Sequence, residues 1–379
     1  MIRGETQAAN EPAHDRDRRV RERAAALGFD VVGFARADEP LGVEHARYLD
    51  FIAQGKHGEM GYLAEGAEAR RSLDSAHILE GARSVICVGR RYARSPEEEA
   101  ADPPLARGIA RYARGQDYHN HLKKRLRKLA AFVRGLAEGA QARALCDVEP
   151  VLERAWAVRA GLGFVGKNGL VITPGQGSYQ LLGEVVTSLD LTPGTPITER
   201  CGECTRCLDA CPTAAFEAPF VLDPRRCIAY FTIEKRGLPP AEFEDAIGEH
   251  LFGCDVCQEV CPWNRTAPPP ASRTAPFHPH ARWSELDLEG LVGVDEASWA
   301  GLSEGTPLRR PGREGMARNA VLVAASRLAR GHDDVDGARR ALTRALEHDD
   351  LQVRALAAGA LGREDPSLAA PDSGLPGSR

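Results

Sequence analysis

No uninterrupted apolar run in the chain is long enough to cross a bilayer. Its opening, MIRGETQAANEPAHDRDRR, lacks the apolar core that an export signal carries behind its basic start. A twin-arginine signal fails on the same ground, because Arg18 and Arg19 run into a charged stretch. These absences argue against a membrane protein and against a secreted disulfide scaffold, so the expectation is a soluble, cytoplasmic protein. An excess of positive charge is missing as well: the net charge of −5 argues against a generic nucleic-acid binder. The Gly-rich segment GLGFVGKNG is read as neither a P-loop nor a dinucleotide-binding turn.

What the chain does have is cysteine, concentrated in one place. Eight of its ten cysteines lie between Cys201 and Cys261, in CGECTRCLDACP and GCDVCQEVCPWN, with Cys227 alone between them. The spacing C-x2-C-x2-C-x3-C-P suits iron–sulfur ligation, since three thiolates on a short looped segment can wrap one cubane while a distant cysteine supplies the fourth bond. Applying the crossing of two-cluster ferredoxins, one 4Fe–4S cluster takes Cys201, Cys204, Cys207 and Cys261. The second takes Cys211, Cys227, Cys254 and Cys257, with Cys227 filling the place of a third close cysteine. Two structural zinc sites or a disulfide framework are the competing readings. Zinc sites normally pair two separate C-x2-C units, so the spacing favours clusters. Cys87 and Cys146 sit in apolar, strand-like runs and are expected to be buried bystanders.

At 379 residues, 43% of them hydrophobic, the chain has room for two or three domains. Residues 1–15 are polar and aperiodic, and are expected to be disordered. From 16 to 192 helices and strands alternate: Arg16–Leu27 as a helix stopped by Gly28, Asp30–Ala37 and Ser84–Ala93 as strands, and Tyr118–Glu138 as an amphipathic helix with Leu122, Leu126, Leu129 and Val133 on one face. A strand ending at Asp147, a helix over Val151–Ala160 and two strands up to Thr187 follow. The fold class expected is an α+β or α/β layer domain, then a ferredoxin-like two-cluster domain at 193–265 and a Pro-rich linker at 266–283. Helices at 284–363 repeat the string HDD at His332 and His348 and resemble HEAT-type pairs, which stack into a short solenoid. Residues 364–379 are expected to be disordered.

Two clusters make an electron wire and need an acceptor. The candidate acceptor site is DVEPVLERAWAVRAGLGFVGKNGL, where Asp147 ends a strand ahead of a Pro-containing turn and a Gly-rich segment with Lys167 and Asn168. A carboxyl there can donate a proton if burial holds its pKa well above about 3.9; equally, Asp147 can simply cap the next helix. Two basic runs stand out in the acidic chain. Arg107–Arg143 holds ten Lys and Arg, and Arg309–Arg344 holds nine Arg, among them Arg309, Arg310, Arg313 and Arg318. Each is read either as a polyanion contact or as a solvated helix face, and the solenoid-like setting of the second favours nucleic acid.

The motifs ARYARGQDYHNHL, DVEPVLERAWAVRAGLGFVGKN, GSYQLLGE, CGECTRCLDACPT, CIAYFTIEKR and GCDVCQEVCPWN together resemble the epoxyqueuosine reductases, cobalamin-dependent iron–sulfur enzymes that finish queuosine synthesis on tRNA. The likeness runs from about Arg16 to Arg363. It implies a cobalamin between the first domain and the clusters, reduced by the nearer cluster, with its cobalt as the nucleophile that opens the epoxide of the wobble base. It also implies Asp147 as proton donor, and cobalamin contacts from Arg71, Tyr112, Asp147, Val171, Ser178, Leu182, Ala229 and Asp255. No D-x-H-x-x-G motif is present, and DSAH at Asp74–His77 has the wrong spacing, so the cobalamin is expected base-off. The implied partners are the anticodon stem-loop of a tRNA, held by the C-terminal helices with Arg309, Arg310, Arg313 and Arg318, and an electron donor that the sequence does not identify. A monomer is expected. The alternatives are an iron–sulfur electron-transfer protein without cobalamin and a relative of the reductive dehalogenases. Corrin absorbance separates the first, and the missing twin-arginine signal speaks against the second.

Overall fold

The computed structural model describes residues 13–147, 149–268 and 275–364. Four strands make the main sheet: β1 (Val31–Arg36), β2 (Ser84–Arg91), β3 (Ala142–Leu145) and β6 (Gln180–Thr187), in the order β1-β2-β6-β3. Every pairing is antiparallel, with Cys87 opposite Gly33 on one side and Glu184 on the other. Of the two expected classes the domain is therefore α+β, and the crossovers of a parallel sheet are not used.

All eight residues of β2 are buried, as its unbroken apolar run requires of a central strand covered on both faces. Val85 and Cys87 face the helix Glu153–Arg159, whose Trp156 is fully buried. Ile86 and Val88 face the helices Ala13–Ala26 and Tyr118–Arg134, the latter through Leu122, Leu126, Leu129 and Val133. Gly28 ends the first helix with a left-handed φ of 83°. That helix starts at Ala13, which corrects the expected disorder for residues 13–15; residues 1–12 lie outside the described residues.

A small hairpin, β4 (Phe164–Val165) with β5 (Val171–Ile172), joins this domain to the cysteine stretch, because Phe164 and Ile172 pack on Cys261 and Trp263. GLGFVG does spell G-x-G-x-x-G, but it follows a helix and enters β4, the reverse of the strand–turn–helix setting that binds dinucleotides. The cysteine stretch itself is short helices, Arg206–Asp209, Ile228–Ile233 and Val256–Glu259, and one hairpin, β7 (Phe216–Ala218) with β8 (Val221–Leu222).

The C-terminal helices Leu288–Val292, Glu296–Ser303, Gly312–Arg330, Val335–Ala345 and Leu351–Glu364 share one core, which also takes in Leu105, Ile109 and Phe252. The helical part is thus welded to the rest and not merely tethered. The string HDD is a repeated cap. His332 Nδ1 accepts from Asp334 N–H (3.1 Å) while Asp334 caps Gly337 N–H, and His348 Nδ1 accepts from Asp350 N–H (3.0 Å) while Asp350 caps Gln352 and Val353. The expected linker needs correction where it is described. Phe277 is buried against Tyr92, and Trp283 is buried with its indole N–H donating to Arg114 O at 3.2 Å. Two large aromatic side chains outweigh the linker-like prolines around them. Residues 269–274 and the tail from 365 lie outside the described residues.

Candidate active site and cluster-binding stretch

Asp147 follows β3 with a φ of 60°, a left-handed backbone that Asp tolerates better than most residues. It does not cap the next helix, whose first flanking residue is Leu152 with no side-chain cap bond. Instead its carboxylate turns to the start of the helix Tyr118–Arg134: Tyr118 Oη donates to Asp147 Oδ2, and His119 Nε2 lies 2.9 Å from the same oxygen. The other ring nitrogen, His119 Nδ1, lies 2.8 Å from Asp117 Oδ1, and Asp117 also caps the helix by accepting from His119 N–H. With both nitrogens on carboxylate oxygens, the ring suits the doubly protonated imidazolium. Burial works against that charge, but the two carboxylates prevail and push His119 up to about 9. Burial by itself would raise Asp147; the bonds from His119 and Tyr118 outweigh it and hold the carboxyl below its usual value. A pKa held up by burial is the condition for Asp147 to donate by itself; the shift runs the other way, and His119, raised to about 9, is the neighbouring group poised to carry the proton.

Beneath the loop, Glu153 Oε1 accepts from Asp147 N–H at 2.9 Å, and Glu149 Oε2 accepts from Cys146 N–H at 3.0 Å. Burial, with the Asp147 charge adding to it, pushes Glu153 up to about 8. Tyr118, His119 and Glu153 had no role assigned from sequence, although all three stand inside the motifs quoted above.

The residues expected to contact cobalamin come together in part. Tyr112 stands edge-on to Tyr118 with ring centroids 5.7 Å apart. Asp255, buried, accepts from Arg111 N–H at 2.8 Å and from Gln258 Nε2 at 3.2 Å, and Ser178 Oγ donates to the same Gln258 at 2.9 Å. Burial raises Asp255 against the opposing pull of Arg111. Tyr179 stacks under the Arg111 guanidinium at 5.1 Å, and its buried hydroxyl has no hydrogen-bond partner among the described residues. Val171 is buried and Leu182 partly buried against the Trp156 core. Ala229, second in the helix Ile228–Ile233, gives its N–H to the sulfur of Cys227. Arg71 is exposed, its carbonyl accepting from Leu41 N–H at 2.8 Å.

All eight clustered cysteines are free thiols with partial or full burial. Burial raises Cys201 to about 11 and Cys254 to about 12, and raises Cys207, Cys227, Cys257 and Cys261 as well. Neighbouring cysteines add to it. Cys261 acts on Cys201 and Cys207, while Cys227 acts on Cys254 and Cys257. Such a set becomes thiolate only where a cationic centre compensates. Backbone N–H groups already point at the sulfurs: Ala215 at Cys211 (3.3 Å), Val256 at Cys254, and Trp263 and Asn264 at Cys261. Donors of this kind are how proteins tune iron–sulfur centres.

The four arginines expected at the RNA divide sharply. Arg309 is exposed. Arg310 is half exposed, paired with Glu234 at 2.8 Å, and lies 5.0 Å over the Tyr62 ring. Arg313 is nearly covered and shared among Glu296, Glu314 and Asp349. Arg318 is buried, donating to Lys235 O (2.7 Å), Gly237 O (2.9 Å) and Phe231 O (2.8 Å). The expectation of RNA contact is corrected for Arg318, whose donors are spent on carbonyls inside the protein; Arg313 is largely covered and faces exposed carboxylates.

Two family profiles match the chain: the 4Fe-4S double cluster binding domain over residues 200–264, and epoxyqueuosine reductase QueG over residues 73–148. The chain is 43% identical over 307 residues to the epoxyqueuosine reductase of Gloeobacter violaceus, covering 79% of this chain and 93% of that one. It is 41% identical over 308 residues to the Pseudomonas aeruginosa enzyme of the same name, covering 80% and 83%. A crystal structure of an epoxyqueuosine reductase with an epoxyqueuosine-modified tRNA-Tyr stem loop superposes with a TM-score of 0.80 at 29% identity, over 94% of this chain and 92% of that one. With relatives this similar along nearly their whole length, the chain belongs to the epoxyqueuosine reductase family.

Proposed function

We propose that this chain reduces the epoxide of epoxyqueuosine to the alkene of queuosine at the wobble position of tRNA, the last step of queuosine synthesis, with Asp147 and His119 handling the proton. The reaction consumes two electrons and two protons and releases the epoxide oxygen as water. Cys201, Cys204, Cys207 and Cys261 hold one 4Fe–4S cluster and Cys211, Cys227, Cys254 and Cys257 the other. Cys261 acting on Cys201 and Cys207, and Cys227 acting on Cys254 and Cys257, supports that division, while Cys207 acting on Cys257 sets the two groups side by side. Tyr112, Ser178, Ala229 and Asp255, with Arg71, Val171 and Leu182, are the residues that would hold a base-off cobalamin. The unpartnered, buried Tyr179 hydroxyl fits a corrin amide there. Bound cobalamin supplies a strongly reducing cobalt nucleophile.

The observation that carries the proposal is the Asp147 Oδ2 oxygen, held by both Tyr118 and His119 on a half-exposed carboxylate. An alkoxide is a poor leaving group, and a placed acid contributes about 10²–10⁴-fold. One of the two protons passes from His119 Nε2 to Asp147 Oδ2 and on to the departing oxygen, and the second comes from solvent, while Tyr118 fixes the carboxylate in place. Arg309, Arg310 and the helical C-terminal part, read as HEAT-like pairs, take the anticodon arm. An external donor recharges the clusters, and one chain carries all of the parts. Among the described residues no helix is long and apolar enough to cross a membrane.

Anaerobic turnover of epoxyqueuosine tRNA by Asp147→Asn tests this. The variant should keep its iron and cobalamin while its rate falls by about 10²-fold or more; an undiminished rate removes Asp147 from the mechanism.

A further inference from the structure

The segment His57–Leu63, HGEMGYL, takes no part in the chemistry above, yet it is clamped from several sides. Gly58 has a left-handed φ of 54°, and a Cβ there would come within 2.5 Å of Tyr230 Oη. That hydroxyl accepts from Glu59 N–H at 3.0 Å. The Glu59 carboxylate takes Lys235 Nζ at 3.2 Å and Arg236 N–H at 2.8 Å. Around Tyr62 the backbone is pinned as well, Tyr62 O accepting from Arg70 at 3.2 Å and Leu63 O from Tyr48 Oη at 2.7 Å. A few residues on, a Cβ at Gly66 would meet Pro150 at 2.9 Å, so the segment is packed directly against the loop that carries Asp147.

For all this clamping, the side chain at the centre is left out. Tyr62 is 46% exposed. The Arg310 guanidinium backs its ring at 5.0 Å, held by Glu234 and by the bond from Arg236 Nη1 to Arg310 O at 2.9 Å. Asp147 lies within electrostatic reach of both Tyr62 and Arg310, in keeping with the contact of Gly66 with Pro150 on its loop. Arg236 and Arg309 are exposed nearby in the chain, adding positive charge for a phosphate backbone. A rigid aromatic ring with a planar cation behind it is a surface on which unpaired nucleobases stack.

We infer that Tyr62, backed by Arg310, is the stacking platform for an unpaired nucleobase adjoining the modified nucleotide of the RNA substrate. This rests on the proposed function, and it adds the element that draws the anticodon loop open beside Asp147. The test uses the iron-loaded, cobalamin-loaded full chain and epoxyqueuosine stem-loops in which 2-aminopurine replaces the nucleotide on either side of the modified one. Wild-type protein should quench one of the two probes on binding. Tyr62→Ala should abolish that quenching and raise KM about tenfold, the loss expected of one stacked base. Tyr62→Phe and Tyr62→Trp should stay near wild type, with iron content equal in all four proteins. Wild-type quenching and KM in Tyr62→Ala, or an equal loss in Tyr62→Phe, overturns the platform. Should the wild-type protein leave the epoxide intact, the proposed function fails first and the platform with it.

Discussion

Between Cys201 and Cys261 eight thiols lie on one stretch of chain, whereas the groups around Asp147 come from the helix start at Asp117–His119, the end of β3, Glu153 and, across the chain, Tyr62 and Arg310. In the first region chemistry is written as spacing, because most of a cluster's ligands come from a short looped segment and a distant cysteine completes the set. In the second it is assembled by the fold, and each residue alone has a bland alternative. The difference predicts where damage stays local. Removing a cysteine should disable one metal centre and leave the fold standing. Changing a residue around Asp147 should alter a proton or a contact without touching the metals.

The largest effect expected is therefore at Cys227, the cysteine that departs from the simple ferredoxin spacing. Cys227→Ser should lose about half the iron and sulfide per chain, one of two clusters, and all turnover. Cys87→Ala, at a cysteine buried against the Trp156 core, should retain full iron. Iron and sulfide analysis with electron paramagnetic resonance decides between them; equal iron in the two variants would break the claim that the stretch acts as a self-contained unit.

The arginines sharpen the same contrast between what is local and what is assembled. Arg310 and Arg318 look alike in the sequence, but one reaches solvent and the other stitches the helix Gly312–Arg330 to three carbonyls of the cysteine stretch. Arg318→Ala leaves the buried Phe231 carbonyl and the partly buried Lys235 and Gly237 carbonyls without this donor, so a loss of about 3 kcal/mol is expected in denaturant unfolding. Arg310→Ala breaks a half-exposed pair and should cost under about 1 kcal/mol.

How much was legible follows from range. The four strands of the main sheet and the helix Tyr118–Arg134 were visible because their apolar periods are local, and the cysteine ligand pattern because it is a spacing. Burial of Phe277 and Trp283 in a proline-rich stretch was not, since their partners Tyr92 and Arg114 are far away in sequence. Nor was the parting of Arg318 from Arg309, because both sit in one basic run and only the docking of the helix buries one of them. Asp147 was legible as a candidate from its place at the end of a strand before a Pro-containing turn, with its role implied by the family likeness, but its charge was not, because that depends on His119 arriving from another element.

His119 gives the smallest expected effect and the most discriminating one. Its pKa rises from 6.5 to about 9 in the folded chain, so between these values the folded state binds a proton that the unfolded state has released. The stability it contributes is complete below about 6.5 and is lost as pH rises through about 9. Glu153, raised to about 8, also binds its proton more tightly when folded and adds to the downward slope over part of this window. The wild-type slope alone therefore cannot assign the effect, but the difference between wild type and His119→Gln can, because Glu153 is common to both. The melting temperature of the wild type should fall more steeply from pH 6.5 to 9 than that of His119→Gln, while iron content stays the same. The alkaline fall in turnover near pH 9 should flatten in the variant, which starts from a lower rate because Asp147 has lost its proton store. Parallel melting curves would show that His119 is neutral in the folded protein over this range, and that the proton at Asp147 comes from another donor.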